Sequence, residues 1–348
     1  MEAGNRLLII TQAVDRNDPA LGFFVDWILE LSKHRQVSVI CLKEGNHDLP
    51  SSIPIYSLGK EKGKVSTFTY AYRFYKLAWS LRGSYDSVFV HMNQEYILLF
   101  GDVWKLLEKK IYLWRNHHSG SFLTNVAAYF CTKIFCTSKY SYTAQFKKTV
   151  LMPVGIDTDK FSPNQNTPKM PHSVLFLARL DRSKQPEVFL QALGHIKEKG
   201  AQFTATLVGS PSDPKSDYEH YLRNRAQEYD LGGSVQFRPG VTNNEAVSLF
   251  RTSEIFVNCS SSGMYDKTIF EAMSAGSLVL ASNKNLEGVI DNRQIFTEGD
   301  AKEAAKKLEV LLQLSTGEKE ELIRKQRDLV IEKHSLHYLG SRLTEEIS

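Results

Sequence analysis

The chain has 348 residues, 42% of them hydrophobic, with 43 Lys/Arg against 39 Asp/Glu and a formal net charge of +4. A mean hydropathy of −0.30, with no apolar run near the roughly 18–20 residues of a membrane span, predicts a soluble globular protein and excludes an integral helical membrane protein. The length allows two domains, each with its own core, and the scattered Cys41, Cys131, Cys136 and Cys259 lack paired metal-ligand spacing, so free thiols are expected.

The N-terminal MEAGNRLLIITQAVD lacks the cationic start and long apolar region of a secretory signal. Its LLII is expected as a first strand over 7–11, and the protein is expected in the cytoplasm, with a place at the inner face of the membrane left open. A helix is predicted over 22–32, strands over 36–42 and 53–58, and a helix over 65–81. The run SVFVH at 87–91 predicts a strand, 96–107 a helix, and 111–114, 133–136 and 149–152 further strands. Such alternation predicts a parallel, doubly wound sheet.

The polar, proline-containing run DKFSPNQNTP at 159–168 is the expected linker. The pattern then restarts, with strands at 173–177, 203–208, 235–237, 255–258 and 278–281. Helices fall between them at 186–199, 218–229 and 244–250, and a helical tail runs from about 301 to 347. The expected domains are 1–165, 166–325 and a C-terminal helix, 326–348, able to pack back on the first. Ligands of such sheets bind outside the C-terminal ends of the strands, here in a cleft expected between the two domains.

The segment 258–282, NCSSSGMYDKTIFEAMSAGSLVLAS, carries most of the chemistry. It reads as strand end, small-residue loop, helix and second strand. The loop Ser260-Ser261-Ser262-Gly263 lets a ligand approach its backbone, and the following helix aims free N–H groups and a positive dipole end at the same space. Glu271 stands about one turn inside that helix. An anion cradle beside a carboxylate suits a sugar nucleotide, with diphosphate on the helix start and ribose hydroxyls on the acid. Arg179 and Lys184 follow the first strand of the second half; they read either as a diphosphate clamp or as two solvated loop cations.

Charge is uneven: residues 1–165 hold 20 Lys/Arg against 14 Asp/Glu, and 51–150 hold 14 against 5. The excess reads as a surface for anionic lipid or an acidic acceptor, or as a solvated basic face. Within it, Phe68, Tyr72, Tyr75 and Trp79 form an aromatic stripe near Lys64, Arg73, Lys76 and Arg82. Packing of the stripe on the sheet is the preferred expectation; peripheral membrane contact is the alternative. His117 and His118 follow a strand, and adjacent histidines are expected to point apart, which argues against chelation by the pair. His91 ends a strand, either meeting an acceptor or capping the strand.

The run from 173 to about 289 resembles the donor-binding domain of the retaining group 1 glycosyltransferases (family 4), which have the GT-B fold: two Rossmann-like domains facing across a cleft. The residues that carry the resemblance are ARLDRSK (178–184), TLVGS (206–210), VQFRPGVTNNEAVSLF (235–250), EIFVNCS (254–260) and FEAMSAGSLVLAS (270–282). The first half matches through LIITQAVDRNDPALGFF, SVFVHM, YLWRNHH and PVGIDTDKF. The resemblance implies retaining transfer of a hexose-type sugar from a nucleotide-diphosphate sugar to an acceptor hydroxyl, with no metal and no cofactor. It implies that Arg179 and Lys184 hold the diphosphate, that backbone N–H groups near Thr268, Ile269 and Phe270 meet phosphate, and that Glu271 binds ribose. Gly240 and Val241 fall where the family contacts the base, Gly22 where a flexible glycine loop faces donor, and His117 where a histidine lies near the transferred sugar. The acceptor is expected to be a glycan, a lipid-linked molecule or a small molecule; no nucleic-acid partner is expected.

Two departures stand out. The family has a glutamate where this chain has Gly263, and glycine where it has Asp266. Asp266 and Lys267 are candidates to meet sugar in place of the missing acid, although capping of the helix is the preferred reading of Asp266. A sugar-nucleotide epimerase on the same fold and a non-catalytic sugar-nucleotide or glycan-binding protein are the alternatives. A dinucleotide oxidoreductase is disfavoured, because no G-x-G-x-x-G follows the first strand.

Overall fold

The computed structural model describes residues 6–164, 166–213, 215–261 and 263–347. Residues 1–5 of the N-terminal segment, Gln165 of the expected linker and Ser262 of the expected phosphate loop lie outside the described residues. The chain divides into two compact units, Met1–Gly155 with Leu336–Ser348, and Ile156–Ser335. The run 159–168 therefore falls within the second unit.

The first unit alternates β1 (Arg6–Val14), α1 (Phe24–Ser32), β2 (Gln36–Glu44), β3 (Ile55–Ser57), α2 (Thr67–Ser80), β4 (Ser87–His91), α3 (Glu95–Leu106), β5 (Lys110–Trp114), α4 (Phe122–Phe130), β6 (Lys133–Cys136) and β7 (Thr149–Leu151). The seven strands are parallel, in the order β3-β2-β1-β4-β5-β6-β7. Helices on both faces explain why the strands are apolar throughout rather than alternating. Leu7 and Ile9 of β1 face one cluster with α1, whereas Leu8 and Ile10 face another with α2, α3 and α4.

The second unit contains β8 (Met170–Leu177), α5 (Pro186–Glu198), β9 (Thr204–Val208), α6 (Tyr218–Glu228), β10 (Val235–Arg238), α7 (Asn243–Thr252), β11 (Ser253–Asn258), α8 (Lys267–Ser274), β12 (Leu278–Ala281), α9 (Ala301–Gln313) and α10 (Thr316–His334). Its parallel order is β10-β9-β8-β11-β12. Both units are doubly wound α/β, the fold class that the alternation predicts.

A last helix, α11 (Leu336–Glu346), belongs to the first unit, where Leu339, Leu343 and Ile347 enter the α1 side of the core. Gly340 permits the approach: a Cβ there would lie 2.5 Å from Glu30 Cγ. Lys133 to Glu346 (2.9 Å) and the Arg35 guanidinium to the Thr344 carbonyl (3.1 Å) tie the helix down.

Three differences from the sequence reading have local causes. Helix α4 was not expected, because FLTNVAAYF is short and rich in aromatic and β-branched residues; reciprocal bonds between Ser121 and Thr124 start it. The tail 301–347 is three helices rather than one, since Ser315 and Glu318 form a capping box and Ser335 is extended. The aromatic stripe of α2 is not in the core. Phe74 and Ala78 hold that position, while Phe68, Tyr72, Tyr75 and Trp79 are 88%, 69%, 46% and 45% exposed.

All four cysteines are buried free thiols, and burial pushes Cys41 and Cys131 up to about 12.

Candidate functional site

In the second sheet the strand order reverses between β8 and β11: β9 and β10 lie on one side of β8, β11 and β12 on the other. A doubly wound sheet opens a crevice at such a switch point, outside the C-terminal strand ends. The loops that leave β8 and β11 meet there, the Ser261 N–H donating to the Ser183 carbonyl at 2.9 Å. The chain reverses at Asp181, which accepts from the Ser183 N–H, and α5 starts with Pro186 after a left-handed Gln185.

This geometry brings Lys184 to Asp266. The Lys184 Nζ lies 2.6 Å from Asp266 Oδ2, and both side chains are mostly buried. The same oxygen accepts from the Ser260 hydroxyl at 2.7 Å and from the Asn258 amide at 3.1 Å. Burial opposes ionisation of this carboxyl, but the Lys184 charge and the three donors outweigh it and hold its pKa at about 2. Asp266 occupies the N-cap position of α8 without a side-chain capping bond, so the capping reading is corrected. The lysine competes for the carboxylate and wins, because an ammonium is a stronger donor than an amide N–H.

Arg179 stands at the mouth of the same loop, 65% exposed and 3.8 Å from Asp181. Ile269 and Phe270 are buried, so of the first turn of α8 only the half-buried Lys267 and Thr268 have side chains that are not enclosed. The Thr268 hydroxyl has no hydrogen-bond partner among the described residues. Lys267 opens the helix. At Gly263, φ is +117°, a conformation that favours glycine, so the glutamate the family pattern would place there is incompatible with this backbone.

Glu271 lies one turn further in, 3% exposed, and its Oε1 accepts from the Asn243 amide at 2.9 Å. Lys160 Nζ donates to the other end of that amide, at 2.6 Å. Burial raises the Glu271 carboxyl above its ordinary value. Lys267, the Asn243 bond and Lys160 pull it down without cancelling the shift, and Asp266 adds to the rise. Asn243 was absent from the sequence reading, although its place just after the Thr242 cap of α7 was the available signal. Gly240 and Val241 lie between β10 and α7, and the Gly240 N–H is occupied by the Ser210 hydroxyl at 2.9 Å. Phosphate-loop, ribose and base-loop candidates of the second unit thus all stand at C-terminal strand ends.

Gly22, His91 and His117 belong to the first unit, whose own strand order reverses between β1 and β4. Gly22 lies in the turn before α1, where a Cβ would stand 2.6 Å from the Arg16 carbonyl oxygen. That loop is pinned rather than slack: Asp18 accepts from the Ala20 and Leu21 N–H groups, and the Gly22 N–H reaches the Asp18 carbonyl. His91 is 2% exposed and stacks on Phe24 at 3.9 Å. It is a core residue, which corrects the acceptor-contact expectation. His117 is exposed, and the Ser119 N–H donates to its Nδ1 at 2.9 Å. The rings of His117 and His118 do not point apart as expected; they stack at 4.6 Å, because the turn to Ser119 folds them onto one side.

His334, at the end of α10, packs on Phe270 at 4.4 Å and Tyr265 at 5.7 Å, flanking the Asp266 loop. Burial lowers its pKa to about 4. A histidine depressed in the fold contributes stability above its unfolded pKa of about 6.5 and loses it as pH falls toward 4. The His334→Phe variant is expected to lose less stability than wild type between pH 7 and pH 5, read from urea midpoints; parallel losses would exclude His334 as the sensitive group.

Residues 157–329 match the family model described as glycosyl transferases group 1. That match covers nearly the whole of the second unit, Ile156–Ser335. The chain is 28% identical over 153 residues to a D-inositol 3-phosphate glycosyltransferase of Paenarthrobacter aurescens, covering 41% of this chain and 36% of that one. It is 23% identical over 195 residues to a putative colanic acid biosynthesis glycosyltransferase, WcaL, of Escherichia coli, covering 53% and 47%. It thus spans less than half the length of these relatives. Among solved structures it is similar to Anabaena HepE in complex with UDP and glucose, with a TM-score of 0.76, 16% identity and 98% coverage of both chains. Sucrose-phosphate synthase of Thermosynechococcus elongatus gives 0.72, 17%, and 97% and 98%. Each unit therefore has the Rossmann-like α/β fold seen in the domains of GT-B glycosyltransferases.

Proposed function

We propose that this chain is a retaining, family 4 type glycosyltransferase that moves a sugar from a nucleotide-diphosphate sugar to an acceptor hydroxyl. The observation that carries the reading is the assembly at the second switch point, where Lys184, the first turn of α8 and the buried Glu271 stand together. Arg179 and Lys184 neutralise charge that grows on the leaving diphosphate, and the α8 dipole adds to them. Glu271 accepts from the ribose hydroxyls. In this reading no divalent ion and no cofactor is required, since the two cations supply the positive charge. Asp266 and Lys267 border the sugar, His117 serves the first unit's side of the reaction, and Gly240 and Val241 border the base. The acceptor is a glycan, a lipid-linked molecule or a small molecule, and no nucleic acid takes part. A cytoplasmic location belongs to the same proposal and is supported by the buried free thiols; among the described residues no helix is long and apolar enough to cross a membrane.

The ion pair of Lys184 with Asp266 also supports a second reading, sugar-nucleotide binding without turnover, because the lysine charge is already neutralised. A thermal-shift screen of nucleoside diphosphates and their sugars, with uridine compounds first, separates these readings when followed by product analysis with and without EDTA. Transfer with retained configuration, undiminished by EDTA, is expected. Donor binding without transfer or hydrolysis across a broad acceptor panel would favour the binding protein, and transfer abolished by EDTA would overturn metal independence.

A further inference from the structure

We propose that the outward face of α2 is a docking surface for an anionic lipid bilayer. This rests on the first unit alone and stands whether or not the transferase reading holds. Helix α2 presents three faces. Phe74 and Ala78 enter the core beside Tyr96, Phe100 and Trp104. Phe68, Tyr72, Tyr75 and Trp79, at spacings of four, three and four, fall on a second, exposed stripe. Arg73 and Lys76 occupy a third, and Lys64 and Arg82 flank the helix ends. The Ser66 side chain caps the N-terminus, so the stripe is presented on a formed helix.

Two aromatic side chains held in water, Phe68 and Tyr72, continued by two half-exposed ones, Tyr75 against Phe100 and Trp79 beneath Arg82, are an unusual exposure on one helix. No Asp or Glu occurs between Lys62 and Tyr85. Lys64, Arg73, Lys76 and Arg82 are all exposed, and none is ion-paired among the described residues. The Arg82 guanidinium lies 4.4 Å over the Trp79 ring. Aromatic rings that enter the headgroup boundary, edged by cations that meet lipid phosphate, are the chemistry of a helix lying in a membrane interface. A second copy of this chain fits the face less well, since a two-fold pairing sets the same cations against each other. Docking by α2 would hold the first unit at a surface where lipid-linked acceptors lie; that consequence alone rests on the transferase reading.

Trp79 supplies the readout. Trp27, Trp104 and Trp114 are at most 4% exposed, so a change in tryptophan emission reports chiefly on α2. The full-length protein is expected to co-sediment with vesicles of equal parts phosphatidylcholine and phosphatidylglycerol, with a blue shift in emission, and not with phosphatidylcholine alone. Phe68→Ser with Tyr72→Ser is expected to cut partitioning about tenfold or more, and Lys64→Ser with Lys76→Ser about tenfold. Trp79→Phe is expected to keep co-sedimentation while losing the shift. The substituted side chains are solvent-exposed, so unchanged thermal melting confirms that each variant is folded. Binding to neither vesicle, equal binding to both, or binding indifferent to both pairs of substitutions would overturn the proposal. Self-association in solution, abolished by the same substitutions, would overturn it in favour of a second copy, and capture by an acidic polypeptide but not by vesicles would do so in favour of a protein partner.

Discussion

Lys184→Met is expected to destabilise the protein by about 2–3 kcal/mol at neutral pH, while Asp266→Gly is expected to tighten nucleoside diphosphate binding about tenfold. Both follow from one ion pair. Asp266 lies against Lys184 at 2.6 Å with most of its surface covered. Removing the lysine leaves a carboxylate with only Ser260 and Asn258 as donors. A buried charge stripped of its partner costs about 3–5 kcal/mol, and the two remaining donors reduce that. The pKa of about 2 gives a similar figure, since each unit below the ordinary 3.8 is worth about 1.4 kcal/mol. The sign follows from the depression: this stability is present above about pH 4 and is lost as pH falls through about 2. Asp266→Gly acts in the opposite sense on the ligand. It frees the ammonium for diphosphate and removes a negative charge beside it, and a hydrogen bond to a charged group contributes about 1.5–3 kcal/mol. Urea melts of Lys184→Met, of Asp266→Asn and of the double variant measure the first effect, with the double variant expected to recover most of the loss. Calorimetry with UDP measures the second. An unchanged melt would deny the pair in solution; unchanged UDP affinity in Asp266→Gly would show that Lys184 does not meet phosphate.

That ion pair marks where sequence reasoning stopped. The alternation of strands and helices, the restart in the second half and the segment around Glu271 were legible because parallel strands are continuously apolar and their helices carry a 3.6-residue period. The exact ends of β4, β6 and β12 follow from such runs. Partners distant in the chain were not legible. Lys184 and Asp266 are 82 residues apart and meet only through the order of β8 and β11; local pattern alone favoured a helix cap for Asp266. Asn243 was missed for the same reason, since its bond to Glu271 spans 28 residues. The stripe on α2 was visible as a period, but periodicity does not say which of two apolar faces the sheet takes. Phe74 and Ala78 were too few to compete on paper with four aromatic residues. In the fold, Phe74 meets Tyr96 at 4.7 Å, a contact that no helical wheel contains.

Glu271→Gln is expected to raise thermal stability at neutral pH and to weaken donor binding about ten- to hundredfold. Two properties of one carboxylate conflict here. Burial makes its charge unfavourable in the absence of ligand and raises its pKa, with Asn243 its one hydrogen-bonding side chain among the described residues and Lys160 acting through that amide. A carboxyl raised in the fold contributes stability below its unfolded value of about 4.5 and loses it as pH climbs through the folded value. As pH rises the wild-type protein therefore takes on an unfavourable charge that glutamine, of the same shape, never carries. In the proposed ribose site the ligand reverses the balance: two ribose hydroxyls donating to an ionised carboxylate would make charge-assisted bonds, and a glutamine offers one acceptor oxygen and no charge. Stability and affinity should thus move in opposite directions, which a residue serving only the fold does not produce. Melting curves at pH 5 and pH 8 test the first half, with the gap between variant and wild type expected to widen at the higher pH. Titration with UDP and with uracil tests the second, since only the ligand that carries ribose should distinguish the two proteins. A variant that melts higher yet binds UDP as wild type does would remove Glu271 from the ribose site.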